Sequence, residues 1–187
     1  MKIEKTDIEG LIIIYPDIFN DERGYFFESY NKEKFESIGI KEQFAQDSQS
    51  FSKKGVLRCL HFQNPPFGQG KLVKVVKGKV LDVAADLRKN SKTYGKWFSI
   101  ILSEENNKMF WIPEGFAHGF LVLEEDTILQ YKLTNIYNKE SETGIIWDDL
   151  DLDIDWQLEE YGIEEVIISD KDKKLPTLAE IKGKLMF

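Results

Sequence analysis

The chain has only two histidines among its 187 residues, and each lies in a short segment dense with other reactive or specially shaped residues: His61 in GVLRCLHFQ and His118 in PEGFAHGF. Histidine is the side chain whose ordinary pKa, about 6.5, lets it give or take a proton near neutrality. Proton transfer is therefore the first chemistry to consider. Between Arg58 and Lys71 the chain also carries Gln63 and Gln69, the stiff Pro65-Pro66 pair and the permissive Gly68 and Gly70. Acid–base work asks for a carboxylate to orient the imidazole, an opposing proton donor and a cation for developing oxyanion charge. Asp82 or Asp172, Tyr131 and Lys71 supply those residue types.

Two other chemistries compete for the same residues. Strict alternation through LRCLHFQ puts Arg58 and Leu60 on one face and Cys59, His61 and Gln63 on the other, making Cys59 a neighbour of His61. A thiolate beside an imidazole is an acyl-transfer arrangement, but a buried free cysteine more often acts as a small hydrophobe, and that is the role expected of Cys59. A metal centre in a β-barrel draws on several histidines and a carboxylate. Two isolated histidines, with no His-x-His pair, leave no metal expected here.

The elements that must hold these residues read as short strands. From Lys71 to about Ile136 the runs KLVKVV, KVLDVAADLR, WFSIIL, MFWIP, GFLVL and TILQYKL recur at roughly ten-residue intervals, the spacing of an antiparallel sandwich or barrel. Lys77-Gly78 suits a hairpin between the first two, and Asp126-Thr127 a turn before the last. LIIIYPDIF predicts a strand ended by Pro16, YNKEKFESIGI a helix stopping near Gly39, and TLAEIKGKL a second helix after Pro176. No repeat, low-complexity tract or linker divides the chain, so residues 1–187 are expected to form one domain. Edge strands need covering, and pairing two subunits is one common way, so a homodimer is expected.

A net charge of −8 argues against nucleic acid or an anionic membrane as partner, though an anionic small molecule needs only a local basic cluster. One cysteine allows no internal disulfide, and no signal-peptide or membrane-spanning run is visible. The cytoplasm is the expected residence.

The segments DERGYFFESY, FAQDSQS, GVLRCLHFQ, QGKLVKVVKGKVLDVAADLR, PEGFAHGFLVL, YK, GIIWDD and SDKD follow in an order that resembles the dTDP-4-dehydrorhamnose 3,5-epimerase family, from Asp21 to Pro176. The resemblance implies a jelly-roll (cupin-like) β-barrel, all-β with a few short helices, a homodimer, and neither metal nor organic cofactor. It implies a dTDP-sugar substrate, dTDP-4-dehydro-6-deoxy-D-glucose, inverted at carbons 3 and 5. By motif matching, His61 would be the general base, Asp172 its orienting carboxylate and Tyr131 the general acid, with Lys71, His118 and Asp82 lining the site. Arg23, Glu28, Gln46, Asp47, Ser48, Arg58, Glu142 and Lys171 would help hold the nucleotide sugar, Arg23 and Glu28 reaching across the dimer. Cys59 stands where the family usually has Gly, and Ser48 where it usually has Asn. A relative inverting a single carbon, or a silent sugar-nucleotide-binding jelly roll, are the alternatives.

Overall fold

The structure, a computed structural model, describes residues 1–187. In chain order the strands are β1 (Lys2–Lys5), β2 (Ile12–Tyr15), β3 (Phe19–Asp21), β4 (Gly24–Phe26), β5 (Gln46–Ser52), β6 (Leu57–Gln63), β7 (Lys71–Lys77), β8 (Lys79–Asp86), β9 (Trp97–Ser103), β10 (Met109–Ile112), β11 (Phe116–Val122), β12 (Thr127–Leu133) and β13 (Glu142–Ile145). Helix α1 (Lys32–Ser37) follows β4, and 3-10 turns precede and follow α2 (Leu178–Ile181), at Asp172–Lys174 and Lys182–Lys184. Both helices open on a side-chain cap: the Asn31 side chain accepts from the Lys34 N–H, and Thr177 and Glu180 form a reciprocal capping box.

The strands form two antiparallel sheets, ordered β1-β2-β10-β7-β12-β5 and β13-β6-β11-β8-β9, with β3 and β4 as a separate hairpin. The second sheet is covered on both faces, the first on its inner face and over part of its outer one. Between them pack Val73, Phe110 and Leu129 from the first sheet and Val80, Ala84, Ile100 and Phe120 from the second. On the outer face of the second sheet, Leu81, Val83, Ala85 and Leu121 meet Trp156, Leu178 and Leu185 of the C-terminal segment. On the outer face of the first, Leu72, Met109 and Trp111 meet Phe35 of α1 and Ile40. Burial on two faces explains why β8 and β11 read as nearly unbroken apolar runs rather than clean alternations.

One expectation is overturned. The strands either side of Lys77-Gly78 do not form a hairpin: β7 pairs with β10 and β12, whereas β8 pairs with β11 and β9. The turn is real, with Gly78 at φ +80° and pressed so closely on Thr127 that a Cβ would sit 2.3 Å from its Oγ1. It carries the chain from one sheet to the other instead of back along it. The break at Asp126, φ +51°, does the same between β11 and β12. These crossings bring Lys71 and Tyr131 to the interior from one sheet and Asp82 and His118 from the other.

Candidate active site

The site begins with an irregularity in β6. In its ladder with β11, His118 lies opposite His61 but Phe120 lies opposite Arg58, so two residues on β6, Cys59 and Leu60, face one on β11, Gly119. Gly119 faces the extra residue, and a Cβ there would lie 2.8 Å from the Arg58 carbonyl oxygen. The shift corrects the alternation expected from the sequence. Cys59 and Leu60 both turn outward into the apolar layer under the C-terminal segment, and Arg58 and His61 come to share the inner wall. An extra strand residue re-aims side chains in this way, and glycine opposite it permits the close approach.

Cys59 is thereby removed from His61's face. Burial pushes its thiol up to about 12, with Asp172 adding to the effect, so it is no nucleophile. Its backbone still matters, because the Cys59 N–H donates to Asp172 Oδ2 at 3.2 Å. Asp172 Oδ1 lies 3.0 Å from His61 Nε2, at ion-pair distance but off the line of a hydrogen bond. The other ring nitrogen, Nδ1, is 3.7 Å from Glu142 Oε1. Burial, helped by Lys71, holds the imidazole well below its ordinary pKa against the pull of Asp172 and Glu142. At neutral pH His61 is an uncharged base with two carboxylates ready to stabilise its protonated form.

Lys71 enters from β7, buried, and donates to the His61 carbonyl at 3.1 Å. Desolvation lowers its pKa to about 8, while Asp82 and Glu142 resist that fall. Asp82 on β8 is fully enclosed and holds His118 Nε2 between its two oxygens at 3.0 and 2.9 Å. Tyr131 projects from β12 into the same space, its phenol raised by burial while Arg58 draws it down. Glu142 on β13 accepts from Lys171 Nζ at 2.5 Å and from the Tyr137 hydroxyl at 2.8 Å. Burial raises its carboxyl, but those two partners outweigh burial and leave it below the usual range.

These groups line one cavity of about 620 Å³ between the two sheets. Of the residues predicted from sequence, His61, Lys71, Tyr131, Asp172, Arg58, Gln46, Ser48, His118, Glu142 and Lys171 all lie on its wall, and Asp82 stands behind His118. Three do not. Asp47 sits on the outer face of its strand with Lys132 at 2.8 Å. Arg23 is exposed and held by Asp21, and Glu28 binds Asn31 at 3.1 Å and Lys34. Tyr137, Phe120 and Gln63 line the cavity without having been assigned to it from sequence. Tyr137 follows β12 in an irregular loop, where no periodicity marks it. Arg58, Lys71 and Lys171 bring three cations to the cavity wall beside the carboxylates of Glu142 and Asp172, so charge-assisted donors for an anionic ligand are present despite the net charge of −8. No group of three or more His, Cys, Asp and Glu side chains is arranged to hold a metal ion. No helix is long and apolar enough to cross a membrane.

The sequence model for dTDP-4-dehydrorhamnose 3,5-epimerase matches residues 5–180. The chain is 51% identical over 176 residues to the dTDP-4-dehydrorhamnose 3,5-epimerase of Methanothermobacter thermautotrophicus, covering 94% of each. It is 47% identical over 182 residues to that of Escherichia coli, covering 97% of this chain and 96% of the relative. Among solved structures, it superposes with a TM-score of 0.93 on dTDP-6-deoxy-D-glucose-3,5-epimerase from Legionella pneumophila in complex with dTDP-4-keto-L-rhamnose. That pair shares 47% identity over 99% of this chain and 96% of the other.

Proposed function

Because the chain belongs to the dTDP-4-dehydrorhamnose 3,5-epimerase family, we propose that its cavity takes dTDP-4-dehydro-6-deoxy-D-glucose and inverts carbons 3 and 5 with its own side chains. The convergence of His61, Asp172, Lys71 and Tyr131 on one cavity carries the reading. Protons on carbons 3 and 5 both lie alpha to the carbon 4 ketone. Removing either one leaves an enolate whose charge rests on the same oxygen, so a single stabiliser serves both inversions.

His61, uncharged at neutral pH, takes the proton from one face of the ring. Asp172 holds the far side of the imidazole and stabilises the imidazolium that forms. Lys71, an ammonium held dry by burial, faces the developing oxyanion, where low local dielectric makes its charge effective. Tyr131 returns a proton from the opposite face; His61 then gives its proton to solvent and Tyr131 regains one, so both are reset before the second inversion. Asp82 keeps His118 fixed against that chemistry. Gln46, Ser48, Arg58, Glu142 and Lys171 hold the nucleotide sugar, the cations meeting its phosphates.

In our reading residues 1–187 are one domain, and the working unit is a homodimer in which Arg23 and Glu28 approach a partner's cavity. The β3–β4 hairpin that carries Arg23 lies apart from both sheets and exposes Phe19, Tyr25 and Phe26, apolar surface of the kind a partner covers.

The test is NMR of the protein with dTDP-4-dehydro-6-deoxyglucose in D₂O. Deuterium entering at carbons 3 and 5 is the expected result. Exchange at one carbon would make the chain a single-centre relative, and no exchange would remove the substrate assignment.

A further inference from the structure

Gln63 closes β6 two residues beyond His61, and its amide does not point at the reacting groups. It is 3% exposed, and all its hydrogen-bonding capacity is spent on two loops. Its Nε2 donates to the carbonyls of Phe67 at 2.6 Å and Ile136 at 3.1 Å, and its Oε1 accepts from the Asn138 N–H at 2.7 Å. Ile136 and Asn138 flank Tyr137, so one amide holds the backbone on both sides of that tyrosine.

The segment from Thr134 to Ser141 has no strand ladder of its own. Backbone bonds tie its ends, Thr134 N–H to the Gly70 carbonyl and Asn64 N–H to the Ser141 carbonyl, both at 3.0 Å, and side chains order the middle: Gln63, together with Gln69 donating to the Asn135 carbonyl at 2.8 Å and Asn135 donating to the Pro66 carbonyl at 3.1 Å. Tyr137 is then fixed at both its polar ends. Its N–H donates to Gln46 Oε1 at 2.9 Å and its hydroxyl to Glu142 Oε2 at 2.8 Å. The ring stays about half exposed on the cavity wall, 51% accessible, away from the buried end formed by Lys71 and His118. Only a primary amide offers two donors and an acceptor in this plane. A carboxylate could not donate, and a hydrocarbon would strand two carbonyls and an N–H without partners.

We propose that Gln63 is a positioning residue: its buried amide holds Tyr137 at the mouth of the cavity and so sets how tightly the part of the substrate remote from the reacting ring is bound. The proposal rests on reading the cavity as the site of a nucleotide sugar, whose remote part is the nucleotide.

The experiment is a double-mutant cycle of Gln63→Leu and Tyr137→Ala, read by KM and kcat with the sugar nucleotide and by the calorimetric Kd of dTDP. Each single variant is expected to raise KM and the dTDP Kd by roughly tenfold and to lower kcat by less than that, the pattern in which lost binding outweighs lost chemistry. The double variant is expected to be no weaker than the weaker single, because with the ring gone there is nothing left for Gln63 to position. Fully additive losses, or a fall in kcat at unchanged KM, would overturn the proposal. Should Gln63→Leu fail to fold, Gln63→Glu keeps the shape and the acceptor while losing both donors, and the same split and the same non-additivity are required of it. If the unmodified protein binds dTDP but does not turn over the sugar nucleotide, the assigned reaction fails while the dTDP cycle still decides the role of Gln63. If it does not bind dTDP, the proposal fails too.

Discussion

The two histidines stand opposite one another across the β6–β11 ladder, each with its own aspartate, yet the two pairs are built for different work. His118 is enclosed, its Nε2 held by both oxygens of a fully buried Asp82. His61 keeps 27% of its side chain accessible, and Asp172 sits at 3.0 Å without a well-aligned hydrogen bond. A histidine whose Nε2 is gripped by both oxygens of a buried carboxylate is a fixed wall. One whose partner stands ready and whose ring opens on a cavity can take a proton. In the proposed mechanism the same two residue types in one sheet thus serve as structure or reagent according to what lies above them.

The comparison is broken or kept by exchanging the histidines' roles. His61→Asn is expected to lower kcat by about 10²–10⁴-fold, the range for a lost general base, with little change in thermal midpoint because no aligned hydrogen bond is given up. Steady-state turnover and a thermal melt on the same sample check both halves. Retained turnover would remove His61 from the mechanism, and Tyr131→Phe tests the acid in the same way.

The next effect is on pH. Burial holds Lys71 to about 8, below its ordinary range, and the proposed oxyanion contact needs the ammonium. As pH rises through about 8 the charge is lost, so kcat/KM should fall by about tenfold per further pH unit. Tyr131 is raised and must be protonated to act, so it contributes no limb in that region. On the acid side His61 is depressed and remains a base as pH falls through 6.5, so no loss is expected there. Lys71→Arg keeps the charge, and its profile, though lower, should lack the limb near 8. A limb that survives in that variant belongs to another group.

Replacing His118 gives a smaller effect, of a different kind. His118→Phe preserves a ring of similar size but leaves Asp82 buried without its donor, which should destabilise the fold by about 1.5–3 kcal/mol in urea unfolding, the worth of a hydrogen bond to a charged group. Turnover should fall less than in His61→Asn. Were turnover to collapse while stability held, the roles assigned to the two pairs would have to be reversed.

Much of this was legible in the residues, for reasons that differ by region. The strands from Lys71 onward announced themselves because β-branched and aromatic residues crowd them, and α1 because Tyr30, Phe35 and Ile38 fall at helical spacing. His61, Lys71, Tyr131 and Asp172 were named in advance because ordered motifs carry them. Pairing was not legible. A glycine turn at Lys77-Gly78 says that the chain reverses, not which strand it will lie beside, and here it changes sheets. Tyr137 was invisible because hydrogen bonds from distant Gln63 and Gln46 place it. Facing was misjudged where alternation failed, between Arg58 and His61.

That failure gives the last test of the comparison, since one glycine beside His118 governs which way the other histidine looks. Gly119 carries no side chain because the extra β6 residue brings the Arg58 carbonyl, and the Cys59 carbonyl carbon at 3.0 Å, to where a Cβ would be. These are backbone atoms, which cannot swing aside as a side chain can. Gly119→Ala must therefore push the two strands apart or force β6 back into regular alternation, at a cost of about 1–3 kcal/mol for overpacking. Regular alternation would turn Arg58 and His61 to opposite faces, so activity should fall with stability even though no cavity side chain has changed. Thermal unfolding and kcat/KM measured together check it. A stable Gly119→Ala protein with full turnover would mean that the shift in register is not what brings Arg58 and His61 to the same wall.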